Sequence, residues 1–304
     1  MSRAVQYSTH GGPEVLEIVE VPEPHAGPGQ VRVAVRAAGL NPFDYKVRAD
    51  PDYMPSHALP SGQGNEFAGV VDEIGHEVTG VSVGDEVLGW NSFAAQADYV
   101  VVPFAHVARK PAALDWPSAG SIGLVGNTAK RATDAVAPGK GDTVLVGGVA
   151  GGVGLFSAQL AIRAGATVIG TASEANHGFL RTRGIVPVTY GPGLVERIRG
   201  AAPQGITAVI DSAGQETVEA GLELGVAPGR INTVAYSAGV ELYGIQAVGG
   251  GGKTAASLAE LAELVASGEV VMPIAAAYPL AEVRAAYERL ESRHLLGKVV
   301  LTLP

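Results

Sequence analysis

The chain has 304 residues, 47% hydrophobic and 17% charged, with a formal net charge of −9. That apolar share builds a sizeable core and excludes an intrinsically disordered chain, and the acidic balance argues against a general nucleic-acid binder or a protein held on anionic membranes. The lack of cysteine excludes disulfides, thiolate zinc sites, iron–sulfur clusters and cysteine nucleophiles.

No apolar stretch follows Met1–Tyr7, so no secretion signal is expected and the cytoplasm is the expected location. The length suggests two domains. Val31–Val35 alternates with period two. Phe67–Ile74, Asp85–Gly89 and Ala97–Val102 follow at short spacing, with Gly and Pro between them. These strands predict a mostly antiparallel β unit over about residues 1–120. The pattern changes near Trp116, and Pro117–Ala135 reads as helical. From Asp142 strands and helices alternate: strand Thr143–Val146, helix Gly154–Ala164, then strands Ala166–Gly170, Ala208–Asp211 and Arg230–Val234. Such alternation predicts an α/β fold with a doubly wound parallel sheet. Thr254–Ala266 reads as a helix. The tail reads as strand Val270–Met272, helix Ala281–Ser292 and strand Lys298–Thr302.

Thr143–Ile162 spans 20 residues without a charge, the length of a membrane crossing. Five glycines, Gly147, Gly148, Gly151, Gly152 and Gly154, break it into strand, turn and helix instead. Against the dinucleotide pattern G-x-G-x-x-G the turn presents Val149, Gly151 and Gly154, so the first glycine is missing. Gly151 lets backbone approach a pyrophosphate, Gly154 lets the helix pack close to its strand, and the helix N-terminus holds the anion. The competing interpretation is a glycine-rich turn without a cofactor; the flanking strands and helix favour the cofactor. An Asp or Glu after the second strand would bind a ribose 2′-hydroxyl and select NAD. Gly170–Ser173 ends instead on small hydroxyl residues, with Glu174 beyond, which favours NADPH.

Six segments occur in order: Ala37–Lys46 (AAGLNPFDYK), Gly64–Val71 (GNEFAGVV), Val83–Val87 (VGDEV), Asn127–Ala129 (NTA), Ala150–Gly154 (AGGVG) and Gly297–Leu301 (GKVVL). Their order and spacing resemble the medium-chain dehydrogenase/reductase superfamily, specifically its zinc-free quinone oxidoreductase branch, the ζ-crystallin-like proteins. The resemblance covers essentially the whole chain. It implies a GroES-like, mostly antiparallel β domain over 1–122, completed by 270–304, and a Rossmann NADP(H)-binding domain over 123–269. It also implies a homodimer, with the strand near Ile231 and the segment Glu241–Val248 extending a sheet across a two-fold axis.

By that resemblance Asn41 lies near the nicotinamide and ribose, and Thr128 at the carboxamide. Gly151, Gly152 and Val153 meet the pyrophosphate, and Ser173 and Tyr190 lie near the 2′-phosphate. Ser212 approaches the ribose, Ala235, Tyr236 and Ser237 flank the nicotinamide, and Lys298 stands on the cofactor side of the cleft. Catalytic candidates are Asn41, Tyr45 and Tyr53. Asp44 is either a wall of the substrate pocket or a cap on a short helix after Pro42. Residues 50–58 depart from the usual small loop of the family and are expected to form part of a substrate lid.

Gly75-His76-Glu77 imitates the zinc signature of related alcohol dehydrogenases, yet the family spacing falls on Gly64-Asn65-Glu66. The zinc-binding His and Cys of those relatives correspond to Asn65 and a position near Asn41, and the other histidines form no close pair, so no metal is expected. Without a Lewis acid, an acceptor that takes hydride readily is favoured. The expected activity is NADPH-dependent reduction of a quinone. An enone or enoyl-thioester reductase and an NADPH-binding structural or redox-sensor protein with little turnover are the alternatives.

Overall fold

The change from period-two alternation to alternating strands and helices near residue 116 divides the structure as well as the sequence. A computed structural model describes residues 1–304. Its first part contains β1 (Ser2–Tyr7), β2 (Glu17–Val21), β3 (Gln30–Gly39), α1 (Pro42–Ala49), β4 (Ser61–Gly62), β5 (Glu66–Ile74), β6 (Glu86–Trp90), β7 (Tyr99–Pro103) and β8 (Val107–Arg109). Helices α2 (Trp116–Ala119) and α3 (Val125–Val136) lead into β9 (Thr143–Gly147), α4 (Gly152–Arg163), β10 (Thr167–Thr171), α5 (His177–Thr182), β11 (Ile185–Val188) and α6 (Leu194–Ala201). Then come β12 (Ala208–Asp211), α7 (Gln215–Glu223), β13 (Ile231–Thr233), α8 (Ala238–Tyr243), α9 (Ala255–Ala266), β14 (Ile274–Pro279), α10 (Val283–Glu291) and β15 (Lys298–Thr302).

The first part is an antiparallel β unit of the GroES-like kind. β2, β1 and β4 make a small sheet, and a larger one runs β14-β15-β3-β5-β6-β8, with β7 also paired to β3. Alternate residues of β3 are buried until Ala37–Gly39, where both faces are covered. The second part is a Rossmann sheet in the order β11-β10-β9-β12-β13, all pairs parallel. β9 is buried at every residue, as a strand with helices on both faces must be. The strand order reverses between β9 and β12, which opens a crevice at their carboxyl ends.

Two expectations need correction. The helix expected over Pro117–Ala135 is broken into α2 and α3. A Cβ on Gly120 would sit 2.7 Å from the Ala37 carbonyl oxygen, and one on Gly123 would strike the Gly89 carbonyl. Backbone passes so close to β3 and β6 here that the helix cannot continue through this turn. The strand expected at Val270–Met272 begins at Ile274 instead. Val270 donates its N–H to Leu264 at the end of α9, and the Gln159 side chain takes both backbone groups of Val271, at 2.8 and 3.0 Å. With those groups satisfied, no ladder starts there.

The largest core cluster joins Ala68, Leu88 and Trp90 of the antiparallel sheet to Ile122, Val125, Phe156 and Leu261 around the Rossmann sheet. The tail adds a second junction. β15 pairs antiparallel with β3, Gly297 forms a parallel bridge with Gly151, and Gly297 N–H donates to Ala150 at 2.8 Å. Gly297 has φ +86°, and a Cβ there would strike the Pro273 carbonyl, so only glycine fits. No helix is long and apolar enough to cross a membrane.

Candidate cofactor cleft and active site

Thr171 of β10 pins the glycine turn. Its hydroxyl accepts from Gly148 N–H, and its carbonyl accepts from Val149 N–H, both at 3.0 Å. Gly148 takes φ +66°, and Gly151 caps α4 at φ −80°. The glycines of the turn differ in purpose. A Cβ on Gly154 would strike the Gly148 carbonyl, so the fold itself demands glycine there. A Cβ on Gly151 would meet nothing nearer than the Gly148 oxygen at 3.4 Å, an ordinary contact. Glycine at 151 therefore leaves space that the protein does not use, in front of the first N–H groups of α4, which have no helical partners. That is the space a pyrophosphate needs, so the residues present fit a dinucleotide. Gly152 and Val153 are half-buried beside it.

A buried polar group lies next to the turn. A Cβ on Gly152 would be 2.9 Å from Cδ of Lys298, whose ammonium turns inward. It donates to the Leu40 carbonyl at 2.6 Å, Asn41 Oδ1 at 2.7 Å and Glu66 Oε1 at 2.8 Å. Asn41 Nδ2 donates to Glu66 Oε1 at 2.9 Å, and Glu66 Oε2 accepts from the Leu124 and Val125 N–H groups at the start of α3, at 2.7 and 3.3 Å. Glu66 is fully buried and ties β3, β15 and α3 together. Glu66 lies within the segment Gly64–Val71 but was not among the candidate site residues. Its one signal was a carboxylate among apolar residues directly after Asn65.

Asp44 takes the capping alternative and not the pocket. It is fully buried, and its oxygens accept from Asn41 N–H at 2.8 Å, Asn65 Nδ2 at 2.5 Å and the Tyr287 hydroxyl at 3.2 Å. Burial pushes its carboxyl up to about 6, against the pull of the Asn65 and Asn41 hydrogen bonds. Tyr287, to which Gln96 donates at 2.9 Å, is raised well above the usual phenol range by burial first and the Asp44 charge second. Asn65 and Asn41 thus spend their side chains inside this network. His76 lies in an exposed turn after β5, and no group of three or more His, Asp or Glu is arranged to hold a metal.

The other candidates fall in separate places. Ser212 Oγ donates to Gly147 at 2.6 Å at the end of β12. Ala235 and Tyr236 donate their N–H groups to Thr233 Oγ1 at 3.1 and 3.0 Å beyond β13, and Ser237 begins α8. Asp211 organises these strand ends, accepting from Thr233 Oγ1, Ala213 N–H and Gly214 N–H, while burial raises its carboxyl. Ser173 Oγ accepts from Asn176 Nδ2 at 3.3 Å after β10. Tyr190 is 46% exposed, with its hydroxyl 3.2 Å from Nδ1 of His294 in the tail turn. Thr128 is half-buried on α3, 3.3 Å from where a Gly249 Cβ would stand. Neither Tyr45 nor Tyr53 hydrogen-bonds to the Lys298 group. Tyr45 packs on the antiparallel core. Tyr53 is 44% exposed in the turns of residues 50–58 and meets Phe43 edge-on at 6.2 Å. Phe43 in turn lies 5.8 Å from Phe93, which lies 4.3 Å from His57, so an aromatic rim borders that loop.

Family models match in two places: the alcohol dehydrogenase GroES-like domain over residues 27–112 and the zinc-binding dehydrogenase domain over 186–301. A quinone oxidoreductase of Pseudomonas aeruginosa is 31% identical over 332 aligned residues, covering 99% of both chains. The structure of Escherichia coli quinone oxidoreductase complexed with NADPH superimposes with a TM-score of 0.88 at 27% identity, covering all of both chains. The spectinabilin polyketide synthase system protein NorB of Streptomyces orinoci is 34% identical over 318 residues, which is 97% of this chain but 14% of that protein.

Proposed function

The chain belongs to the medium-chain dehydrogenase/reductase family, in its quinone oxidoreductase branch, and from that premise we propose that it transfers hydride from NADPH to a quinone without a metal ion. The observation that carries this reading is the unused space at Gly151, before the free N–H groups of α4. Gly151, Gly152 and Val153 hold the pyrophosphate. Ser212 borders the ribose, and Thr128 meets the carboxamide. Ala235, Tyr236 and Ser237 flank the nicotinamide. Ser173 and Tyr190 face the 2′-phosphate, with His294 of the tail turn beside Tyr190. Bound NADPH supplies the hydride. Asn41 borders the nicotinamide and is held in one orientation by Lys298 and Glu66, so Lys298 acts by positioning Asn41. Tyr45 and Tyr53 line the acceptor side.

Amides at Asn41 and Asn65, already engaged within the protein, support chemistry that does not depend on a Lewis acid. A quinone spreads the incoming charge over its conjugated system and needs no metal to do so. The two domains, 1–122 completed by 270–304 and 123–269, close on the cofactor between them, in a cytoplasmic homodimer. The similarity to a polyketide synthase protein favours a second reading, reduction of an enone or enoyl thioester by the same hydride step. Loss of NADPH absorbance with 1,4-benzoquinone, 9,10-phenanthrenequinone, 2-cyclohexenone and a crotonyl thioester decides among these. Turnover is expected with the quinones. Tight NADPH binding with no turnover on any acceptor would leave only a binding or sensing role.

A further inference from the structure

We propose that His294 of the tail turn is a cation that recognises the 2′-phosphate of NADPH, so that the preference for NADPH over NADH strengthens as the pH falls. The inference rests on the reading above that the 2′-phosphate lies at Ser173 and Tyr190. Two paired strands set the geometry of that place. Thr171 of β10 is the register partner of Val188 of β11, and Ala172 N–H donates to the Val188 carbonyl at 3.0 Å. Ser173 and Tyr190 each stand two residues beyond that pair, at the strand ends where a Rossmann sheet meets the adenosine ribose. The tail reaches the same place. Nδ1 of His294 lies 3.2 Å from the Tyr190 hydroxyl, a contact between residues 104 positions apart. Arg293 and His294 take left-handed φ of +59° and +52°, which residues with a Cβ rarely adopt. The turn is anchored on both sides, by Glu291 on Arg48 at 2.5 Å and by the Gly297 N–H on Ala150 at 2.8 Å.

A phosphate at this place needs a cation, and the segment after β10 supplies none. Residues 171–180 hold no Lys or Arg, and Glu174 follows Ser173 directly. The other charged groups nearby are fixed in charge or engaged. Arg197 of α6 spends its guanidinium on the carbonyls of Thr189, Tyr190, Gly191 and Pro192. His177 at the start of α5 lies 3.4 Å from the Ala172 carbonyl, Arg181 stands in the last turn of α5, and Arg183 stacks on Phe179 at 5.9 Å. Arg293 faces Lys46 of α1, whose ammonium is lowered by burial first and by the Arg293 charge second. The arginines keep their charge at every working pH, whereas histidine is the side chain that changes charge between pH ~5 and ~8. Once His294 is protonated, its Nδ1–H donates to the Tyr190 oxygen, which releases the phenol O–H as a donor, and Nε2–H is free as a second. Ser173 Oγ accepts from Asn176 Nδ2 and keeps its own O–H. These three donors, one of them charged, match the outer oxygens of a phosphate. NADH presents a hydroxyl there and gains little from the added charge.

Binding without turnover tests this. Dissociation constants of NADPH and NADH are measured by nicotinamide fluorescence at pH ~6.5 and ~8.5 and constant ionic strength, above the second ionisation of a phosphate near ~6. The proteins are the wild type, His294→Gln and His294→Arg, each checked by thermal unfolding. In the wild type the ratio of the NADH to the NADPH constant should be about tenfold larger at the lower pH, the worth of one charge-assisted hydrogen bond. His294→Gln should show the smaller ratio at both pH values, and His294→Arg a ratio that does not change with pH. The NADH constant should change less than about twofold in either variant. A ratio that changes with pH equally in the wild type and His294→Gln overturns the proposal and passes the effect to His177 or Lys46. Equal losses of NADPH and NADH affinity in His294→Gln also overturn it, because the turn would then be structural only. Ser173→Asp separates the underlying reading. It places a carboxylate at the end of β10 and should weaken NADPH far more than NADH. Unchanged NADPH affinity in Ser173→Asp counts against the placement of the 2′-phosphate, while the His294 comparison still decides the role of His294.

Discussion

Asp44 shows how one side chain can be structural and still respond to pH. Its carboxyl is raised from 3.8 to about 6 in the folded protein, so the folded state holds its proton more tightly than the unfolded chain. The contribution of Asp44 to stability is therefore fully present below about 4 and is lost as the pH rises through about 6. Asp44→Asn should flatten the dependence of Tm on pH across that interval, and parallel Tm profiles for the two proteins would refute the assignment. The two glycines of the cofactor turn should separate in the same way. Gly151→Val is expected to keep the wild-type Tm and lose NADPH binding, whereas Gly154→Val should lower Tm because its Cβ strikes the Gly148 carbonyl. Differential scanning fluorimetry with and without NADPH reads both effects. The glycine turn before α4 was legible in the sequence because a local motif carries it. The partners of Asp44 were not, since Tyr287 lies 243 positions away and Asn65 lies 21 away. Nothing near Asp44 in the chain records those contacts.

At the scale of elements, strands with regular alternation were readable, and elements shaped by distant backbone were not. Lys298–Thr302 was found with its observed ends, because its apolar run is short and bounded. The break between α2 and α3 was missed because it depends on carbonyls of β3 and β6 that only the fold brings near. β1 and β2 were missed too, although they pair with each other through five residues, because β2 is exposed or half-exposed throughout and carries no apolar pattern. The junction of β5, α3 and β15 depends on one buried ion pair. Glu66→Gln leaves the Lys298 ammonium buried without its countercharge, which should cost about 3 kcal/mol of unfolding free energy by denaturant titration. Glu66→Gln combined with Lys298→Met should cost less than the sum of the single changes. Additive losses would mean that the two residues do not act as a pair.

For the whole molecule, the division into an antiparallel unit and a parallel sheet followed from pattern alone, because each architecture imposes its own period on the chain. The way the units join did not follow, since the shared core around Trp90, Val125 and Leu261 draws on segments far apart in sequence. Cofactor binding should be visible as a property of the whole fold. NADPH at a hundred times its Kd stabilises by about 2.7 kcal/mol, which for a chain of this size raises Tm by about 4 °C. NADH at the same concentration should raise it less, and equal shifts would overturn the preference read from Ser173 and Tyr190. The tail adds an order in time. β15 fills the gap between β3 and β14, Gly297 bridges to the glycine turn, and Lys298 closes the network around Asn41. A ribosome delivers those residues after every Rossmann strand. The nascent chain can complete its Rossmann strands as they emerge, but the cleft has no finished wall until Lys298 has left the exit tunnel, so cofactor capture must follow the emergence of Lys298.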